Sequence, residues 1–445
     1  MGYELEYKQK LVSADEAVKV IKSGDWVDYA TAGLFPSLCD AALAKRKDEL
    51  EDVKVRGIII WDPIQILEAD PEGEHFTYNS FHMIGSERKY CDKGLCYFIP
   101  MLYRNLPVYY RKNLEVNVAI CGVTPMDKDG YFSFSCYGSH GRAVLDVADY
   151  IILEVNETLP RTFGIENKVH ISEVNAIVEG PHTPFAGVPD FPASDVDLAI
   201  AKQVIERMSD GACVQLGVGA MPDVIGTMIA EESDLKNLGV HSELMVNSHY
   251  KMYKAGKLTN LNKSGEFKGK SVYGVGYGNW DMYHWIEDNP TCINTPMDYV
   301  NNPRVIAEID NFVSINNCIG VNIYGEISSE SAGHRHISGT GGQLDFVTGA
   351  YDCPNGTSFV CFSSTFTDKK GQVHSRITPG FNGDIVTVPR SQTHHLVTEY
   401  GTVCLAGNAT WERAEKIISI AHPDFRDDLI KSAEEYGIWR RSNKR

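Results

Sequence analysis

The 445-residue sequence predicts an α/β fold of two related open α/β domains, and three observations carry that expectation. The first is CVQLGVGAMPDVIGTMIAEESDLKNLGVHSELM, Cys213 to Met245, which reads as strand, glycine turn, helix, strand. The second is an earlier echo of the same order. Ala17 to Gly57 and Ala201 to Ser242 each run helix, glycine (Gly24, Gly211), strand, glycine turn, proline (Pro36, Pro222), helix, strand. The third is that most strand candidates are continuous apolar runs rather than alternating ones, as expected of strands covered on both faces.

In chain order, the first half offers strands at Val53–Ile60, Val116–Cys121 and Tyr150–Val155. Glu179 to Asp197, EGPHTPFAGVPDFPASDVD, has four prolines and no helical period, and reads as a linker. DVDLAIAKQVIERM then starts a helix, with Ser194 or Asp195 as N-cap. The domain expectation is therefore 1–185 and 195–445. In the second half Val214–Leu216 is a strand, Gly217-Val218-Gly219-Ala220 a tight turn, and Pro222 suits the first turn of a helix, where a missing N–H costs nothing. Leu238–Val240 is the next strand, with His241-Ser242-Glu243 directly after it. Further strands are expected at Phe312–Asn316, Ser358–Phe362, Asp384–Val388 and His395–Thr398, and TWERAEKIISIAH and PDFRDDLIKSAEEYG are helical. The two strands of a parallel βαβ unit point the same way. The glycine turn and Glu243 then share the carboxyl edge of one sheet, where ligands of open α/β sheets bind.

Composition bounds the function. With 43% hydrophobic and 23% charged residues the chain is globular in character, and its length favours two domains over one core. No apolar run is long enough to span a bilayer. MGYELEYKQK lacks the apolar stretch of a secretory signal and lacks Ser or Thr at position 6 for myristoylation. A net charge of −17 argues against nucleic acid as partner and for solubility. The basic tip RRSNKR reads as a solvated tail. Eleven scattered cysteines, with no CxxC pair, read as reduced core thiols of a cytoplasmic protein.

Several motifs fall short of a site. GVGAMP has Pro222 where a dinucleotide fingerprint needs its third glycine, which leaves a run of amide N–H groups suited to an anion or an oxyanion. SGEFKGKS, Ser264 to Ser271, has Ser264 in place of the first glycine of a P-loop and reads as a basic surface loop. Ser139 and His140 are adjacent, and adjacent side chains seldom face each other. His334 and His336 lack a third metal ligand. GTGGQLDF, Gly339 to Phe346, is either a loop of positive φ angles or backbone brought close to a ligand. Glu399 in VTEYG reads as a structural acceptor. Glu243 alone would read as a surface residue; its place beside the glycine turn makes it a candidate.

LGVGAMPD, LGVHSE, ISGTGGQLDF, VTEYG and IAHPDFRDDL together resemble class I CoA-transferases of the acetyl-CoA hydrolase/transferase family, over nearly the whole chain. The resemblance implies two NagB/RpiA/CoA-transferase-like domains and a homodimer or homotetramer. It makes Glu243, the glutamate of GVHSE, the catalytic nucleophile. It assigns CoA contacts to Gly217, Val218, Gly219, Ala220 and Met221, to Asn317, to Gly341 beside the thioester, and to Lys369. The implied activity moves CoA between a short-chain acyl-CoA, butyryl-CoA first, and a free carboxylate, acetate first. A transferase for 4-hydroxybutyrate or another short-chain acyl group, or an acyl-CoA hydrolase, is the alternative; a non-catalytic CoA-sensing or NAD-binding protein is the rival outside this class. No metal and no permanently bound cofactor is expected, CoA being a substrate attached transiently. Glu243 has to be ionised to attack, so the expectation is a carboxylate not deeply desolvated when free. Two departures from the family pattern stand out. Asn247-Ser248 follows the glutamate where Asp-Gly or Asp-Ala is usual, and Gly278-Asn279-Trp280 replaces Gly-Thr-Lys, a change expected to reshape the acyl pocket.

Overall fold

The computed structural model describes residues 2–185, 187–190 and 192–443. Met1 of the Met-Gly start, Ala186 and Phe191 of the linker, and Lys444-Arg445 of the basic tip lie outside the described residues.

Two compact units divide the chain, one made of Met1–Val188, Val272–Val300 and Ile337–Gly341, the other of Pro189–Ser271, Asn301–His336 and Gly342–Arg445. Unit 1 therefore takes two segments from beyond the boundary that separates 1–185 from 195–445, while unit 2 begins at Pro189. Unit 1 is built on an eight-stranded sheet ordered Leu11–Val12, Ala176–Glu179, Tyr150–Val155, Val118–Val123, Trp26–Tyr29, Val53–Gly57, Phe76–Ser80, Cys96–Phe98. All its pairings are parallel. In unit 2, Thr357–Cys361, Phe312–Asn317, Cys213–Leu216 and Gly239–Met245 are neighbours in that order, all parallel. His395–Thr398 adds a further parallel strand outside Thr357–Cys361, and Gly401–Cys404 closes that edge antiparallel.

The repeat read from sequence is thus a repeat of topology. Trp26–Tyr29 and Cys213–Leu216 are the first inner strands of their sheets, and in each unit the chain builds outward from that strand in both directions. Each unit therefore has a switch point, with a crevice at the carboxyl ends of the strands.

Most strand and helix expectations coincide with the structure, and the differences have local causes. Val53–Gly57 stops short of Ile60 because Ile59 takes a φ of 57°, which breaks the extended run. The strand expected from Val116 begins at Val118. Leu238–Val240 proves longer and shifted: the strand is Gly239–Met245, so Glu243 lies within it rather than after it. Asp384–Val388 is not a strand. Val388 makes one isolated antiparallel bridge with Ile327 and is buried in the core, while Ile385 and Val386 are exposed, so only the end of this run packs. The linker has no regular structure until Ser194, which caps the helix Asp195–Ile205 by accepting from Asp197 N–H, with the Asp197 carboxylate reaching back in a capping box.

Candidate functional site

The site of unit 2 starts from the buried strand Cys213–Leu216. Where that strand ends, the chain turns through Gly217 to Gly219 with almost no room around it. A Cβ on Gly217 would lie 2.6 Å from Asn316 Oδ1, and one on Gly219 would lie 2.7 Å from Asn317 Nδ2. Gly219 also has a φ of 127°, a conformation that favours glycine. The turn therefore packs as bare backbone on Asn316 and Asn317, the last residues of the neighbouring strand. Gln215 fixes that neighbour: its Nε2 donates to Asn316 Oδ1 at 3.1 Å, and its Oε1 accepts from Ser314 Oγ at 2.8 Å and Asn316 Nδ2 at 3.1 Å. Val218 and Ala220 stand exposed on the crest, while Met221 is buried with the apolar face of the helix Ala220–Glu231. What the turn offers a ligand is main-chain N–H.

Glu243 comes to the same edge by register. Val214 lies opposite Val240, and the same offset sets Glu243 level with Gly217. Its Oε2 accepts a hydrogen bond of 2.5 Å from Asn301 Nδ2, and its carboxyl accepts another from the Gly342 backbone N–H. A Cβ on Gly342 would fall 2.1 Å from Glu243 Oε2, so this close approach needs glycine. Gly342 caps the helix Gln343–Asp352, and Gln343 Nε2 donates to Asn317 O at 3.1 Å. Glu243, Asn301, Gly342, Gln343, Asn317 and the glycine turn thus form one connected set.

Burial pushes the Glu243 carboxyl up to about 7, against the pull of its bonds from Asn301 and Gly342. This corrects the expectation of a well-solvated carboxylate. The residue is only half-buried, but its carboxyl group trades water for one amide and one main-chain N–H. Near neutral pH such a group is divided between acid and carboxylate.

The other expected residues divide. Gly217 to Met221 and Asn317 belong to the connected set, and Gly341, with a φ of 57°, directly precedes Gly342. Lys369 stands apart, exposed at the turn of the hairpin Thr365–Thr367/Val373–Ser375. Asn301 escaped the sequence reading, while Gly342 and Gln343 lie in the GTGGQLDF stretch read there as backbone brought close to a ligand. Asn301 precedes the N-cap of a Pro-started helix, Asn302-Pro303, and reads there as a loop residue.

The remaining motifs resolve as structure. Ser139 does face His140: Ser139 has a φ of 40°, and its Oγ lies 3.0 Å from His140 Nδ1, which corrects the expectation that the two point apart. Burial drops that imidazole to about 3, so it is a neutral core group. Glu399 accepts from Ser364 N–H and Oγ, as a structural acceptor does. Asn247 donates to Asp190 Oδ1 at 3.0 Å, a contact an aspartate there would turn into repulsion. Ser248 fits because its neighbour is Gly226, whose Cβ would lie 2.5 Å from Ser248 Oγ. In unit 1, Trp280 Nε1 donates to Phe185 O at 2.9 Å, and both line a cavity of about 680 Å³ with Phe35, Trp61, Tyr137 and Tyr283. Among the described residues no group of three or more His, Cys, Asp or Glu could hold a metal ion. No helix there is long and apolar enough to cross a membrane.

A carboxylate beside a main-chain N–H rim, at the carboxyl edge of one of two topologically matched α/β units, has the parts that acyl transfer through a carboxylate would use. Residues 1–189 match the acetyl-CoA hydrolase/transferase N-terminal domain and residues 278–433 the corresponding C-terminal domain, so the chain belongs to the acetyl-CoA hydrolase/transferase family of CoA-transferases. It is 50% identical to the butyryl-CoA:acetate CoA-transferase of Anaerostipes caccae, covering 100% of both chains. It is 49% identical to a probable butyrate:acetyl-CoA coenzyme A-transferase of Syntrophomonas wolfei, over 99% of this chain and 98% of that one. Among solved structures, RipA from Yersinia pestis superimposes with a TM-score of 0.90 at 32% identity, covering 99% of this chain and 100% of that one.

Proposed function

We propose that this chain transfers CoA between butyryl-CoA and acetate in a ping-pong cycle through a glutamyl-CoA thioester on Glu243. A carboxylate oxygen of Glu243 attacks the thioester carbonyl, the C–S bond breaks, and an acyl-glutamyl anhydride and CoA thiolate result. The thiolate then attacks the glutamyl carbonyl carbon and the anhydride C–O bond breaks. The acid leaves as carboxylate and Glu243 is left as the γ-thioester. Acetate reverses both steps with a new acyl group, and no net proton is gained or lost.

The observation that carries this reading is the pair of donors on the Glu243 carboxyl, Asn301 Nδ2 on Oε2 and the Gly342 N–H. In the resting enzyme Asn301 and the Gly342 N–H orient the carboxylate. When the glutamyl carbon becomes tetrahedral, its oxygen carries the negative charge, and those donors are already in place. The glycine turn, Gly217 to Met221, with Asn317, Gly341 and Lys369, takes the CoA. The test is to incubate the enzyme with butyryl-CoA and trap with borohydride or hydroxylamine. Modification confined to the Glu243 peptide, and lost in Glu243→Ala, is expected; an unmodified peptide, or full turnover by Glu243→Ala, overturns the reading.

A further inference from the structure

A cation without a counter-charge stands at the far side of the connected set. Arg376 donates from Nη1 to Ile319 O at 3.0 Å and from Nε to Ser363 Oγ at 3.3 Å. Among the described residues no carboxylate pairs with it, although its guanidinium is half-buried and burial lowers its affinity for the proton. Arg413, also held by carbonyls, differs. Its Nε, Nη1 and Nη2 go to three backbone oxygens, Tyr324 O, Leu405 O and Arg390 O, which leaves it a satisfied structural group. Arg376 keeps its Nη2 uncommitted.

The guanidinium also lies over the ring of Phe366, 5.1 Å from the centroid. Phe366 is 41% exposed although it pairs across the hairpin with His374, whose ring stacks on it at 5.1 Å. Asp368 fixes the hairpin turn by accepting from Lys370 N–H, Gln372 N–H and His374 Nε2. The result is a ledge that carries an exposed phenyl ring, with the His374 ring and an unneutralised arginine against it. Lys369 and Lys370 add positive charge at its tip. Ile319, which Arg376 holds, is two residues past Asn317, at most about 7 Å of chain. The ledge is therefore reached from the glycine turn along one continuous run of unit 2.

We infer that Arg376 and Phe366 receive the phosphorylated adenosine end of CoA, the guanidinium on a phosphate and the ring under the purine. This rests on the reading that CoA is the substrate at Glu243. A phosphate supplies the counter-charge that Arg376 lacks, with a charge-assisted bond to its open Nη2. A purine supplies a second planar face for an exposed phenyl ring.

The test compares three butyryl thioesters, of CoA, of 3′-dephospho-CoA and of pantetheine, in the wild type, Arg376→Met and Phe366→Ala. Each variant should narrow the preference in kcat/KM for the CoA thioester over the pantetheine thioester, about tenfold for Arg376→Met and about fivefold for Phe366→Ala. If Arg376→Met also removes discrimination between CoA and dephospho-CoA, its partner is the 3′-phosphate; if both are weakened alike, the partner is the pyrophosphate. Preferences within twofold of wild type in both variants overturn the inference. Because Phe366 is exposed, its variant stays informative if Arg376→Met folds poorly. Borohydride labelling of Glu243, run alongside, separates the two claims. Labelling with unchanged preferences removes the ledge and leaves the mechanism, and absence of labelling removes the mechanism itself.

Discussion

Glu87 in one unit and Glu243 in the other are both pushed up to about 7 by burial, yet their surroundings have little else in common. Glu87 is fully buried and accepts from Tyr78 OH, Ser80 Oγ, Ile60 N–H and Ile84 N–H, so both oxygens are spoken for. Glu243 is half-buried and its carboxyl holds two donors, Asn301 Nδ2 and the Gly342 N–H, against the four of Glu87. A raised pKa alone therefore does not separate a structural carboxyl from a chemical one; the count of committed lone pairs does. The units themselves teach the same lesson. Register sets Val27 opposite Val55 in unit 1 and Val214 opposite Val240 in unit 2, so the place of Glu243 is held in unit 1 by Ile58, wholly buried. One copy of the topology uses that position for packing and the other for a carboxylate.

The comparison can be broken at its strongest point by removing each carboxyl in turn. Glu243→Ala is expected to lower kcat by about 10⁴-fold or more, as loss of a covalent nucleophile does, with little change in urea midpoint. Glu87→Ala is expected to do the reverse. It strands four donors in the core, so unfolding free energy should fall by about 3–5 kcal/mol, while the rate per folded molecule stays within about twofold. Equal effects of the two variants on turnover would dissolve the distinction. A smaller effect sharpens it: Asn301→Ala should lower kcat/KM by roughly 10- to 100-fold. In wild type, kcat/KM should rise with pH through about 7 as Glu243 ionises. The Asn301 bond favours the ionised form, so the variant's rising limb should move to higher pH.

Much of this was legible in the residues. The strand–turn–helix–strand run of Cys213 to Met245 placed Glu243 and the glycine turn on one edge because parallel strands leave no other arrangement, and the echo at Ala17 to Gly57 carried the second unit. What was hidden depended on contacts far apart in sequence. Asn301 reaches Glu243 across 58 residues from a loop that carries no local signal, and the glycine cluster at Gly342 signalled a close approach without saying to which residue. The depth of Glu243 was misjudged for a related reason. A glutamate flanked by Ser242 and Leu244 looks like a strand end, and only the longer strand Gly239–Met245 shows that it sits inside the sheet's edge. Asp384–Val388 failed in the opposite way, because an apolar run with only one isolated bridge stays irregular.

The least of the expected effects separates the two carboxyls by stability alone. A carboxyl whose folded pKa of about 7 exceeds its ordinary 4.5 is held as the acid, so its contribution is fully present below pH 4.5 and is lost as pH rises through 7. Glu243→Gln keeps the shape and removes the titration. Relative to wild type, the variant should be level or slightly less stable at pH 5 and more stable at pH 8.5, by about 1–2 kcal/mol once the carboxyl's partial exposure is allowed for. Thermal melts of both proteins at the two pH values read this directly. Glu87 and Asp40 titrate with the same sign but are present in both chains, so their contributions cancel in the difference. A difference that is flat between pH 5 and pH 8.5 would mean that Glu243 is solvated like an ordinary glutamate, and that burial is not what holds this carboxyl near neutrality.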